Sequence, residues 1–158
     1  MNKIHRVEIF DMDGTIVDSS HRYRTRVDNG VEKIDLEYWR ANEYRAMEDG
    51  ILPLAQHYRN CLGDPNCYTI IATARVMGDA DWQFVREILG MPNHFISRPK
   101  DSAVSGAKLK IRGLAKFANL PQFQGIPWTF YEDNIDYLKK VCDRFQCRGV
   151  YIPSKQGH

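Results

Sequence analysis

Asp11 and Asp13 flank Met12 directly after the apolar run Val7-Glu8-Ile9-Phe10, and Gly14-Thr15 follow them. Two carboxylates this close repel, and a cation that neutralises both removes the penalty. Oxygen-only donors at this spacing suit Mg²⁺, which keeps several waters and accepts one or two carboxylates plus a substrate phosphate. Both can face one crevice only if the chain leaves strand geometry there, as Gly14 permits; a polar turn is the plainer reading of the same residues. A second apolar run, Tyr68 to Ala72, ends at Thr73, whose hydroxyl and backbone N–H can hold a phosphate oxygen or cap a helix. A third, Trp128 to Tyr131, ends at Glu132 and Asp133, two more carboxylates that could equally complement a helix start.

Three polar clusters, each closing a short β-branched or aromatic run, require elements that bring strand ends together. Val7–Phe10, Tyr68–Ala72 and Trp128–Tyr131 read as buried strands, with shorter ones at His94–Ser97 and Val150–Ile152. Helical patterns lie between them at about 79–89, stopped by Gly90, at 105–118 and at 134–145. Strands alternating with helices predict an α/β fold, a three-layer Rossmann-like parallel sheet covered on both faces. Ligands of such sheets bind beyond the carboxyl ends of the strands, where all three clusters fall. Residues 18–63 interrupt the alternation with a polar, charged segment, read as a small helical cap inserted after the first strand, so that 1–158 forms one domain. Within it Arg22, Arg24 and Arg26 with Tyr23 could clamp a phosphate and stack a base, or form a solvated helix face; Trp39, Tyr38 and Tyr44 read as packing.

At 158 residues, 43% hydrophobic and 27% charged, the chain is sized for one core, which excludes disordered and fibrous classes. A net charge of +2 falls short of the footprint of a dedicated duplex binder, so any nucleic-acid contact is local. No apolar stretch approaches a membrane span and the first residues lack a secretory core, giving the expectation of a cytoplasmic protein without a membrane partner. Cys61, Cys67, Cys142 and Cys147 fit no standard knuckle or redox spacing. Reduced structural thiols are the expectation, with a disulfide or a zinc site assembled across the fold as the rarer alternatives.

The stretch Ile9 to Asp18 resembles the first motif of the haloacid dehalogenase-like (HAD) phosphohydrolases, an apolar strand followed by D-x-D-G-T. Tyr68 to Thr73 is similar to that family's second motif and Trp128 to Asp133 to its fourth. The resemblance implies an aspartyl-phosphate mechanism with Asp11 as nucleophile, Asp13 as general acid and then base, and Thr73 holding the phosphate. It also implies Mg²⁺ on Asp11, the backbone carbonyl of Asp13, and Asp133, with Glu132 as a further ligand or a nearby acceptor. The third motif is a lysine that pairs with the nucleophile, assigned to Lys108, with Lys110 as the alternative.

Thr73-Ala74-Arg75, Arg98-Pro99-Lys100-Asp101 and His21-Arg22-Tyr23 resemble, more narrowly, the 3′-phosphatase domains of bacteriophage polynucleotide kinases and their stand-alone relatives, with Ala74 in place of the usual Gly. No G-x-x-x-x-G-K-[ST] accompanies them. Arg75, Arg98, Arg22 and Thr15 are the substrate-binding residues this implies. The expected activity is a Mg²⁺-dependent phosphomonoesterase acting on a nucleotide or the 3′-phosphate end of a nucleic acid. The alternatives are a 5′-nucleotidase or sugar-phosphate phosphatase, and a phosphate-binding module without turnover.

Overall fold

The computed structural model describes residues 3–154. Along the chain, β1 (Arg6–Phe10) is followed by β2 (Val17–Asp18), β3 (Thr25–Asp28), β4 (Val31–Ile34), α1 (Leu36–Ala41) and β5 (Gly50–Ile51). Strands and helices then alternate: α2 (Ala55–Leu62), β6 (Cys67–Ala72), α3 (Asp79–Phe84), β7 (His94–Ile96), α4 (Gly106–Ala118), β8 (Trp128–Glu132), α5 (Ile135–Phe145) and β9 (Arg148–Tyr151). Five strands pair in parallel in the order β7-β6-β1-β8-β9. Both neighbours of β1 reach it through a crossover, so the sheet's topological switch point lies at the end of β1, where Asp11 follows.

Alternation along β1 assigns its side chains to two cores. Val7 and Ile9 join Ile70, Phe130, Leu114 and Val141 on one face, while Phe10 joins Ile71, Tyr58 and Phe84 on the other. The helix after β6 continues past Phe84 in a π turn over Val85–Leu89, closed by the Gly90 N–H donating to the Val85 carbonyl at 2.7 Å. Among the described residues no helix is long and apolar enough to cross a membrane, and all four cysteines are free thiols.

The inserted segment differs from the expected helical cap in two respects. Its centre is a hairpin: β3 and β4 pair antiparallel around Asn29-Gly30, both at positive φ. This dipeptide supports the turn that matches strand twist, a stronger local signal than the charge spacing that suggested a helix. Ser20–Arg22 is one 3₁₀ turn and Glu43–Glu48 another. The second difference is the boundary. The short antiparallel pair of β2 and β5 forms the stem through which the chain leaves and returns, and α2 belongs to the main layer, with Tyr58 and Cys61 fully buried against Phe10.

Candidate active site

After β1 the chain curls around one backbone oxygen. The Met12 carbonyl accepts from the N–H groups of Thr15, Ile16 and Val17, and Gly14 adopts φ +79°. A Cβ there would lie 2.2 Å from Asp133 Oδ2, so both conformation and close approach require glycine. The curl leaves Asp11 and Asp13 buried at the carboxyl edge of the sheet.

Asp11 is held by the Thr15 hydroxyl, which donates to Oδ2 at 3.0 Å, and by Lys110 Nζ, which donates to Oδ1 at 2.8 Å. Lys110 also bonds Glu132. Glu132 Oε2 accepts from the backbone N–H of Asp133 at 2.9 Å and of Asn134 at 3.2 Å. Burial pushes the Asp11 carboxyl up, but Lys110 and the hydrogen bonds around it prevail, so it is held below its usual range. Burial and the Asp11 charge push Glu132 up to about 8 and Asp133 up to about 10. Lys110, buried yet facing Asp11 and Glu132, is pushed up and stays charged.

Three carboxylates, Asp11, Glu132 and Asp133, thus converge within 4.8 Å of one another around a single ammonium, and the buried Asp133 Oδ2 has no hydrogen-bond partner. A hard divalent cation fits this all-oxygen, charge-deficient set. Asp11 and Asp133 have oxygens to offer it. The oxygens of Glu132 are engaged by Lys110 and two backbone donors.

The lysine assigned from sequence is corrected. Lys108 is exposed on the first turn of α4, its N–H donating to the Ser105 cap, whereas Lys110 falls in the buried stripe with Gly106, Leu114 and Phe117. Two residues are roughly 200° apart around a helix, so the two lysines cannot share a face. Lys110 Nζ is flanked by the rings of Tyr137, 5.2 Å away, and Phe130, 5.7 Å away.

Asp13 is held from the other side. Ser19 donates to its Oδ1 at 2.7 Å, and Arg75 grips both oxygens. Arg75 continues to Asp81 at 2.6 Å and Asp49 at 3.5 Å. Asp49, from the cap, also accepts from Arg22 at 2.8 and 2.9 Å and from His21 at 2.7 Å. Arg22 is therefore not a substrate contact as expected: it is fully buried, spent on Asp49 and Asp81, and absent from the cavity wall. Thr15 likewise is 1% exposed and donates to Asp11, so it positions that carboxylate instead of meeting substrate. Sequence reasoning missed Asp49 and Asp81, because nothing local marks two acids whose partners lie on other elements. Replacing Asp49 by Ala leaves the buried Arg22 guanidinium only Asp81, at 3.3 Å, and is expected to destabilise the fold by about 3–5 kcal/mol in urea unfolding.

The site opens into a cavity of about 460 Å³. Its floor carries Asp11, Asp13, Thr73, Arg75, Lys110 and Asp133; Ile34, Leu36, Trp39, Arg40 and Glu43 of the inserted segment form the facing wall. Thr73 Oγ1 accepts the Arg75 N–H at 3.1 Å, and Arg98 lines one side while donating to the carbonyls of Ala74 at 2.8 Å, Ser102 and Val104. Arg98 thus braces the loops around the cavity. Trp39, read as packing, stands in the cavity wall with the Arg22 guanidinium 4.3 Å and that of Arg75 5.2 Å from its ring centre. Its place depends on the cap's path over the sheet.

The fold is shared with known HAD-domain proteins. A chain of the Pnkp1/Rnl/Hen1 RNA repair complex superposes with TM-score 0.63 at 12% identity, over 96% of this chain and 43% of that one. CbbY from Rhodobacter sphaeroides, solved with phosphate, gives 0.62 at 12% identity over 98% and 88%. The HAD domain of the effector Lem4 from Legionella pneumophila gives 0.62 at 12% over 99% and 89%. In sequence, the 5′-deoxynucleotidase of Escherichia phage T5 is 37% identical over 87 residues, 53% of this chain but only 35% of that relative's length. The family model described as bacteriophage T5 5′-deoxynucleotidase matches residues 1–98, which contain the Asp11 loop, the cap and the Thr73 to Arg75 turn. With that match spanning more than half of its residues on a HAD fold, the chain belongs to the bacteriophage T5 5′-deoxynucleotidase family.

Proposed function

We propose that this protein is a divalent-metal-dependent phosphomonoesterase that hydrolyses deoxynucleoside 5′-monophosphates. The observation that carries the reading is Lys110 bridging Asp11 and Glu132 beside the unpartnered Asp133 oxygen, on the floor of a capped cavity. Such a floor gives one carboxylate nucleophile, fixed cationic donors and an excess of negative charge suited to a metal ion that would accompany phosphate. The cavity volume is in the range of small-ligand pockets, and a cap wall that sets Ile34, Leu36 and Trp39 over the floor favours a mononucleotide over a polymer end. The substrate named for the phage T5 relative agrees.

In this mechanism an Asp11 oxygen attacks phosphorus and forms an acyl phosphate, while Asp13 gives a proton to the departing nucleoside oxygen. Asp13 then takes a proton from the water that cleaves the acyl phosphate, releasing phosphate and restoring Asp11. Lys110 and Thr73 hold the phosphoryl oxygens, and Arg75 keeps Asp13 aimed. Mg²⁺ on Asp11, Asp133 and the Asp13 carbonyl would neutralise phosphoryl charge.

A panel with and without Mg²⁺ tests this: 5′- and 3′-deoxymononucleotides, oligonucleotides phosphorylated at either end, and a sugar phosphate. The expected result is Mg²⁺-dependent release, fastest from the 5′-deoxymononucleotide. Preference for the 3′-phosphorylated oligonucleotide would instead assign end healing, and silence throughout would favour a phosphate-binding module.

The same carboxylates predict a pH dependence. Glu132 and Asp133 have folded-state values raised above their ordinary 4.5 and 3.8, so their contribution to stability is complete below about pH 4 and is lost as pH rises through about 8 and 10. Magnesium competes with those protons. The Mg²⁺-induced rise in Tm is therefore expected to grow between pH 6 and pH 9, roughly the span of those titrations. A rise independent of pH would contradict the ligand set.

A further inference from the structure

Glu8 lies three residues before Asp11 on the central strand, 4% exposed, in register between Thr69 of β6 and Thr129 of β8. A carboxylate in the middle of a covered sheet is costly unless something compensates it. Its Oε1 accepts from the Tyr131 hydroxyl at 2.9 Å and meets His57 Nε2 at 2.7 Å. His57 and Cys61 are one turn apart on α2 and share a face, with Nε2 and Sγ 3.6 Å apart; Cys61 Sγ is 3.8 Å from Glu8 Oε1. All three donor atoms lie within 4.8 Å of one another, and none belongs to the cavity that holds Asp11.

Nitrogen, sulfur and oxygen form a mixed, softer donor set than the oxygen-only floor, suited to zinc and poor for magnesium. A tetrahedral zinc with Zn–N of about 2.0 Å and Zn–S of about 2.3 Å separates N from S, and S from O, by about 3.5 Å, and N from O by about 3.3 Å. Two of the three edges are close to these lengths already. The third must open by about 0.6 Å as the His57–Glu8 hydrogen bond is exchanged for two metal bonds. Cys61 is 0% exposed, so the same trio cannot work as a nucleophile, base and orienting acid on an outside substrate. His57 is its open side: its side chain is 41% exposed and lines a surface cavity with Pro53 and Asn60, which gives a metal ion and a fourth, water ligand their access.

We propose that Glu8, His57 and Cys61 form a zinc site, separate from the Asp11 centre, that fastens α2 to the central strand. Binding releases the Cys61 proton to solvent. The thiolate and the Glu8 carboxylate then carry two negative charges, which Zn²⁺ balances; the contact with Cys67, burial and the Glu8 charge push the metal-free Cys61 thiol up, with Arg6 Nη2, 4.0 Å from the sulfur, opposing them, so the metal displaces a firmly held proton. The site does not depend on the reaction proposed above.

The test uses the full chain carrying Asp11→Asn, stripped of metal, kept reduced with a non-thiol reductant and held in excess Mg²⁺. Titration with Zn²⁺ against a chromophoric chelator is expected to show one site, and Co²⁺ is expected to produce a thiolate-to-metal charge-transfer band. Cys61→Ser should abolish the band and, like His57→Gln, weaken Zn²⁺ binding at least about tenfold. Should either variant unfold, the Co²⁺ spectrum of the chain with native Glu8, His57 and Cys61 decides alone, since bound cobalt without a sulfur band overturns the site. So does the absence of Zn²⁺ binding, or binding that folded Cys61→Ser and His57→Gln leave unchanged.

Discussion

Asp11→Asn is expected to lower phosphate release from a 5′-deoxymononucleotide by about four orders of magnitude or more while the protein stays folded, the scale seen when a nucleophile is removed. Asn keeps the shape of Asp and an oxygen for the Thr15 hydroxyl, but it has no negative charge with which to attack phosphorus. Asp11 suits that role because Lys110 outweighs the burial that pushes its carboxyl up, leaving it ionised across the neutral range. The variant leaves Lys110 its bond to Glu132, so it should still unfold in one cooperative thermal transition. Acid-quenched reactions with labelled substrate should leave phosphate on the parent chain and none on the variant. Unchanged turnover in a clean preparation would remove Asp11 from the mechanism.

Lys110→Met should cost about 10²–10³ in kcat or more, comparable to losing a principal donor to a developing oxyanion, whereas Lys108→Ala should change kcat/KM less than twofold. Lys110 has Asp11 and Glu132 as partners and two rings as walls; Lys108 faces solvent. Stability should separate them as well. Breaking a buried pair costs about 3–5 kcal/mol, while an exposed change stays within about 0.5 kcal/mol. The unfolding measurement is best made with Mg²⁺ present, so that the carboxylates left without their lysine keep a counter-charge. A larger loss from Lys108→Ala would reverse the ranking.

Which features could be read before folding, and which could not, follows the range of the forces involved. Val7 to Phe10, Tyr68 to Ala72 and Trp128 to Tyr131 announce themselves as strands because burial on both faces demands a run of apolar residues, and the alternation with helices leaves one sheet type. Asp11, Asp13, Thr73 and Asp133 were legible for the same reason: each follows a strand, and a parallel sheet brings strand ends together. The Asn29-Gly30 hairpin was legible too, but a reading led by arginine spacing passed over it.

Lys110 was not decided locally. Periodicity marks α4 as a helix, but its rotation is set by packing Gly106 under Tyr137 and Leu114 into the core, and a shift of two residues turns the opposite face inward. Arg22 reads as a phosphate clamp until the stem of β2 and β5 carries it to Asp49 and Asp81, 27 and 59 residues away. Trp39 becomes a cavity wall, and Glu8, His57 and Cys61 neighbours, only when the cap and α2 dock on the sheet. Local sequence determines which elements form and which groups they carry, through propensity and burial pattern. Partnerships between distant groups wait for the tertiary structure, because a hydrogen bond or a metal bond acts over a few ångströms and chain separation says nothing about that distance.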